Sequence, residues 1–236
     1  LQALVEVLRK YRVLVLSDEI YSGTHYRGEH VSLARYYPEG TIISNGLSKW
    51  CGAGGWRLGF FVFPESLSWL ADAMAAVASE TFTSTSAPIQ YAAVSALEDR
   101  PEMTSYLQRS RRILAELAGH AHRTLIGAGA VMSPAAGGFY LFPRFEAHRD
   151  RLNVRGIDNG RTFCERLLEE TGVAVLPGDC FGRPSRELSL RLAIVDFDGE
   201  TALAKAADGP IDEAFVKRHC DRVTTAIERM ADWADQ

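Results

Sequence analysis

With 236 residues, of which 47% are hydrophobic and 24% charged, the chain can bury a full core and is globular rather than disordered. A formal net charge of -4 gives no general attraction to nucleic acid or to an anionic membrane, so neither is expected as a partner. Cys51, Cys164, Cys180 and Cys220 form no CxxC pair and no metal-finger spacing, and are too few for a disulfide scaffold of this size, which points to a reducing, cytoplasmic setting.

In chain order, Leu1, Leu4, Val5 and Leu8 recur at helical spacing and predict a helix ending near Lys10. The run VLVL at 13–16 reads as a fully buried strand closing at Ser17 and Asp18, the helix-to-strand step of an α/β sheet. TIIS at 41–44 is a second short strand, and RLGFFVF at 57–63 is a third that follows closely enough to run antiparallel to it. Helical patterns fill 65–79 and about 87–98. From Pro101 a long helix carries Met103, Tyr106, Leu107, Ile113, Leu114 and Leu117 on one face, with Arg109, Arg111 and Arg112 on a solvated polar side. Short strands are expected at 129–133, 138–142, 173–176 and 188–194, and a helix from about 160 to 171 stopped by Gly172. A last helix carries Phe215, Val223, Ile227 and Met230 on one stripe, and the polar stretch DGETALAKAADGP at 198–210 reads as a surface insertion. The fold class is α/β: residues 1–100 form part of a mostly parallel-sheet large domain, and residues 101–236 a smaller α+β domain.

The segment GLSKWCGAGGWRLGF at 46–60 places Lys49 and Arg57 among tryptophans, a leucine, a phenylalanine and glycines, a composition that belongs partly inside a protein. A lysine in apolar surroundings has its ammonium destabilised, which frees the amine to attack a carbonyl; its other reading is a surface lysine beside a serine. Arg57 offers a planar fork for phosphate, or a structural ion pair, and Gly52, Gly54 and Gly55 let the backbone pass close to a ligand. Asp18 stands at a strand end, where ligands sit in open α/β sheets, or caps a turn. Tyr21 is a second polar group three residues on, or an ordinary half-buried aromatic. Taken together, a carboxylate, a phenol, an imine-forming lysine and a phosphate-binding arginine are what pyridoxal 5′-phosphate requires.

The motifs SDEIY at 17–21 and GLSKWCGAGGWRLGF closely resemble those of the class I/II aminotransferases of the fold type I pyridoxal-phosphate family. The likeness continues through SAPIQYAAVSAL at 86–97, GGFYLFPRF at 137–145, GVAVLPGDCFG at 172–182 and LRLAIVDF at 190–197, in the family's order and over nearly the whole chain. It implies a PLP-binding large domain followed by a small C-terminal domain. It further implies that Lys49 forms the Schiff base and shifts the proton, that Asp18 pairs with the pyridine nitrogen, and that Tyr21 hydrogen-bonds the phenolic oxygen. Arg57 falls on the phosphate-binding arginine, and Arg191 on the arginine that takes the substrate's α-carboxylate. The implied activity is transfer of an amino group from an amino acid to a 2-oxo acid, in a homodimeric full-length enzyme. Two other readings stay open: a PLP-dependent lyase or synthase on the same scaffold, and a non-catalytic aminotransferase-like sensor domain of a regulator.

The chain departs from the family at Gly46, where many relatives carry a phosphate-contacting serine. Nothing before Leu1 corresponds to the family's upstream half, so the chain reads as the C-terminal portion of a longer enzyme, with weak cofactor binding and little or no activity by itself. No metal is expected: His120 and His122 would share a face of a strand, but no carboxylate or cysteine lies at useful spacing. Cys51 beside Lys49 reads as a small buried hydrophobe.

Overall fold

A computed structural model describes residues 1–236. Packing divides the chain into two units, Leu1–Leu107 and Gln108–Gln236.

The first unit begins with α1 (Gln2–Lys10), whose last turn carries Arg9 and Lys10, cations that suit the negative end of a helix. β1 (Val15–Asp18) follows and pairs in parallel with β2 (Thr41–Gly46), Val15 opposite Thr41 and Asp18 opposite Ser44. β3 (Gly59–Val62) runs antiparallel to β2, as its closeness in sequence predicts, with Gly59 opposite Gly46. α2 (Ser68–Thr81) and α3 (Ala87–Leu97) come next, close to their predicted spans, and α4 (Pro101–Gly127) opens on a proline whose missing N–H costs nothing there.

One expectation fails at β1. The VLVL run is not fully buried: Val13 and Leu14 precede the strand, and Leu16 is 60% exposed. Val15 alone faces the cluster of Val5, Leu8, Leu33 and Tyr37, so one face of β1 is covered and the Leu16–Asp18 face stays open. A continuous apolar run signals burial on two faces, but β1 has a single strand neighbour and a single packed face.

In the second unit the strand candidates contract to β4 (Tyr140–Leu141), β5 (Leu176–Pro177) and β6 (Leu190–Ala193). The order is β4-β6-β5, antiparallel throughout. Val131 keeps only an isolated bridge to Arg144. Gly137, Gly138, Pro143 and Pro177 interrupt these stretches, because glycine and proline weaken or end a ladder. Between them lie α5 (Arg149–Val154) and α6 (Gly160–Thr171). Asn159 caps α6 by accepting from Thr162 N–H at 2.9 Å, and Gly172 stops it at φ 76°, in the left-handed region that glycine adopts without a Cβ clash.

The stretch at 198–210 is not merely a surface insertion. It holds α7 (Gly199–Lys205), started by Asp198 accepting from Thr201 N–H, and Ala202 is fully buried. The predicted last helix is two, α8 (Glu213–His219) and α9 (Asp221–Asp235), parted at Cys220 by a non-helical φ/ψ of -128°/33°. The apolar spacing ran across the break because both helices turn their stripe to the same core. That core stacks Phe145 on Phe163 with centroids 5.2 Å apart, and Trp233 of α9 meets Phe163 edge-on.

Candidate active site

The end of the parallel pair positions the first group of predicted residues. β1 ends at Asp18, opposite Ser44 of β2; β2 runs two residues further, and Lys49 follows three residues beyond it. Asp18 is exposed and its Oδ1 accepts from Ile20 N–H at 3.2 Å, so the turn-cap role is real and leaves the second oxygen available for other donors. Lys49 is half-buried, with Nζ 5.8 Å from the centre of the Tyr21 ring. The structure therefore brings Lys49 and Tyr21 together at the strand end that Asp18 closes.

Why Lys49 is held there follows from its neighbours. Leu47, Trp50, Ala53 and Leu58 are buried in one cluster with Ala93, so the turn hangs from apolar anchors on both sides of the lysine. Trp50 also fixes the Tyr21 side: a Cβ on Gly23 would lie 2.4 Å from the Trp50 Cβ. Only glycine permits this approach, and Asn45 Nδ2 reaches Ser22 Oγ at 3.4 Å beside it. Gly23→Ala is expected to lower unfolding stability by about 1–3 kcal/mol, as denaturant titration measures, because both colliding atoms are tied to backbone. An unchanged midpoint would show that the two turns have slack.

Sequence reasoning missed Glu19. It is 8% exposed, and its carboxylate receives Ser17 Oγ at 3.0 Å, Ser32 Oγ at 2.6 Å and His30 Nε2 at 3.0 Å. Burial alone would push this carboxyl up, but the hydrogen bonds from Ser32, His30 and Ser17 outweigh it and hold the group below the usual glutamate range. Because the folded value is the lower one, this stabilisation is complete above the ordinary range and is lost as pH falls through the folded value.

Arg57 lies at the end of the loop after β2, following the 3-10 turn Gly54–Trp56. It is exposed, its Nη1 donates to the Gly54 carbonyl at 3.0 Å, and its backbone is left-handed at φ 55°. A non-glycine residue in that region stores about 1 kcal/mol or more of strain, which tertiary context must hold. Gly46 has a steric reason: a Cβ there would stand 2.7 Å from the Leu58 carbonyl and 3.0 Å from the Gly59 Cα. The close pairing of β2 with β3 leaves no room for serine.

In the second unit Arg191 stands in β6, between the buried Leu190 and Leu192 and on the opposite face. Its guanidinium packs on two rings, 4.2 Å from the centroid of Tyr140 and 4.3 Å from that of Phe181. Both aromatics lie in the motifs at 137–145 and 172–182, whose sequence alone gives them no role. The two ring contacts limit the rotamers of the arginine.

Other candidates resolve as structural groups. His120 and His122 lie on α4, not on a strand, so two residues of separation turn them to different sides; His120 is buried and His122 half-buried. No group of three or more His, Cys, Asp or Glu stands together as a metal site. Cys51 is half-buried against the Leu47–Trp50 cluster, and burial pushes its thiol up. Burial likewise raises Cys164 and Cys220 to about 12, so neither is a nucleophile.

The donor set fits the pyridoxal phosphate that the resemblance implies. The first unit offers a carboxylate with a free oxygen and a phenol at and after the end of β1, and an amine and an exposed guanidinium in the loop after β2.

Comparison with known proteins agrees. The family model described as aminotransferase class I and II matches residues 1–203. The aspartate aminotransferase of Geobacillus stearothermophilus is 34% identical over 189 residues, which cover 78% of this chain and 46% of that protein. A probable N-acetyl-LL-diaminopimelate aminotransferase of Bacillus subtilis is 30% identical over 181 residues, 77% of this chain and 42% of the relative. Among solved structures, the Thermus thermophilus aspartate aminotransferase with maleate superposes at a TM-score of 0.71 with 30% identity, covering 87% of this chain and 49% of that one. An aromatic aminotransferase from Pyrococcus horikoshii gives a TM-score of 0.75 with 26% identity over 98% of this chain and 53% of the other. The chain thus spans about half the length of the relatives it matches. With motifs, strand-end geometry and fold in agreement, the chain is a member of the class I and II aminotransferase family, of fold type I.

Proposed function

We propose that this chain carries the lysine-bearing part of a pyridoxal-phosphate-dependent aminotransferase, which moves an amino group from an amino acid to a 2-oxo acid. The observation that carries the reading is the Lys49 amine beside the Tyr21 ring, at the end of the strand pair that Asp18 closes. When bound, pyridoxal phosphate supplies an electron sink for the bond broken at the substrate Cα.

The chain's own residues do the rest. Lys49 Nζ, as free amine, takes the proton from the substrate Cα, holds it as ammonium and gives it back. Asp18 would hold the cofactor's ring nitrogen in its protonated form by charge, and the Tyr21 hydroxyl would donate to the phenolic oxygen. Arg57, exposed at the end of the loop after β2, would take the phosphate through its planar fork. Arg191 clamps the α-carboxylate through two parallel N–H bonds and so orients the Cα–H bond. Residues 1–100 belong in this reading to the cofactor-binding domain and 101–236 to the smaller one, which the packing boundary near Leu107 supports. A homodimer in the cytoplasm completes it; all four cysteines are free thiols, and no helix is long and apolar enough to cross a membrane.

The test uses the natural full-length polypeptide containing these residues, incubated with pyridoxal phosphate, reduced with borohydride and mapped by mass spectrometry. The added mass is expected on the peptide bearing Lys49. Modification of Lys10, Lys205 or Lys217 instead would remove the basis of the assignment.

A further inference from the structure

Asp18 and Glu19 are neighbours with opposite environments: the first is exposed at the strand end, the second buried on the other side. Glu19 also continues the sheet, its N–H donating to the Ser44 carbonyl at 2.8 Å, while its own carbonyl accepts from Ser22 N–H at 2.9 Å. The side chain reaches across the loop that follows. Oε1 accepts from Ser17, on β1, and from Ser32; Oε2 meets His30. One carboxylate therefore fastens both ends of the 20–32 segment, and Tyr21 lies within that segment.

We infer that Glu19 is a positioning residue for the cofactor contacts: its buried carboxylate locks the 20–32 segment so that Asp18 and Tyr21 stay aligned with Lys49. The inference rests on the functional reading above. A carboxylate suits the task because it is acceptor-only and its two oxygens serve three donors at once. Glutamine at this position turns an NH2 toward one of those donors. The Gly23–Trp50 approach makes the lock felt at the lysine: Tyr21 and Ser22 lead directly into the residue that abuts the Trp50 side chain, next in sequence to Lys49. Loosening the segment at His30 and Ser32 therefore frees Tyr21 to move off the amine.

Glu19→Gln and Ser32→Ala in the natural full-length polypeptide test this, with pyridoxal phosphate as the probe. The first readout, taken without the probe, is amide hydrogen exchange over residues 20–28, expected to quicken about tenfold or more in Glu19→Gln. The second is the pH at which the visible absorption band of the bound probe changes. A well-placed Tyr21 hydroxyl favours the ionised phenolic oxygen, so misplacing it is expected to raise this midpoint by about half a unit to one unit. Ser32→Ala, which keeps the carboxylate, is expected to move both readouts the same way by less, and it decides the matter if Glu19→Gln does not fold. Faster exchange with an unmoved midpoint would make Glu19 a stabilising group only and overturn the inference, as would no change in either readout. A wild-type polypeptide that develops no band overturns the functional reading and this inference with it, so the two failures are told apart by the wild type alone.

Discussion

Replacing Lys49 by alanine in the natural full-length polypeptide is expected to lower kcat for amino-group transfer by about 10⁴-fold or more. The size follows from the two jobs that the proposed function gives to one group: anchoring the cofactor and moving the Cα proton. Leu47 and Trp50, which are 1% and 9% exposed, hold the backbone on either side of the amine in place. Lys49→Arg separates charge from proton transfer, because a guanidinium stays protonated at any working pH and cannot act as a base. It is expected to be as inactive as alanine, whereas a small added amine should restore part of the activity of Lys49→Ala by entering the vacated space. Stopped-flow or steady-state assays with any accepted amino acid and 2-oxo acid read all three. Substantial activity in Lys49→Arg would mean that the lysine contributes only its charge.

Arg191→Lys is the second large effect, expected to lower kcat/KM for the amino acid by about 100-fold. Lysine keeps the charge but loses the planar fork that meets a carboxylate at two points, and a charge-assisted pair lost at one point costs about 1.5–3 kcal/mol. The two ring contacts sharpen the loss, because a planar guanidinium stacks on the faces of Tyr140 and Phe181 better than an ammonium does. The decisive comparison is an amine substrate without the α-carboxylate, whose turnover should be nearly unaffected by the substitution. Equal losses for both substrates would place Arg191 in the scaffold of β6 rather than at the substrate.

Much of the architecture was legible because it depends on local chemistry. The helix ended by Gly172 is a matter of one residue with no Cβ, and the antiparallel turn from β2 into β3 follows from the short connection. The break at Cys220 was not legible, since the stripe of Phe215, Val223, Ile227 and Met230 keeps helical spacing straight across it. The solvent-open face of β1 was hidden for a related reason: the run VLVL records that the residues are apolar, not how many neighbours the strand has.

For the candidate site, the residue types and their spacing along the chain singled out Lys49, Asp18, Tyr21 and Arg57, because a reactive amine, an anion, a phenol and a forked cation have few chemical uses in common, whereas Arg191 came only from the family resemblance of its motif. What binds those residues into an arrangement is long-range. Glu19 meets partners thirteen residues away, Gly23 is shaped by Trp50, and Arg191 by rings from two other segments. Such contacts carry no periodicity, so no pattern along the chain announces them. Only the folded backbone brings a buried carboxylate to a serine and a histidine, and only there does its proton affinity fall.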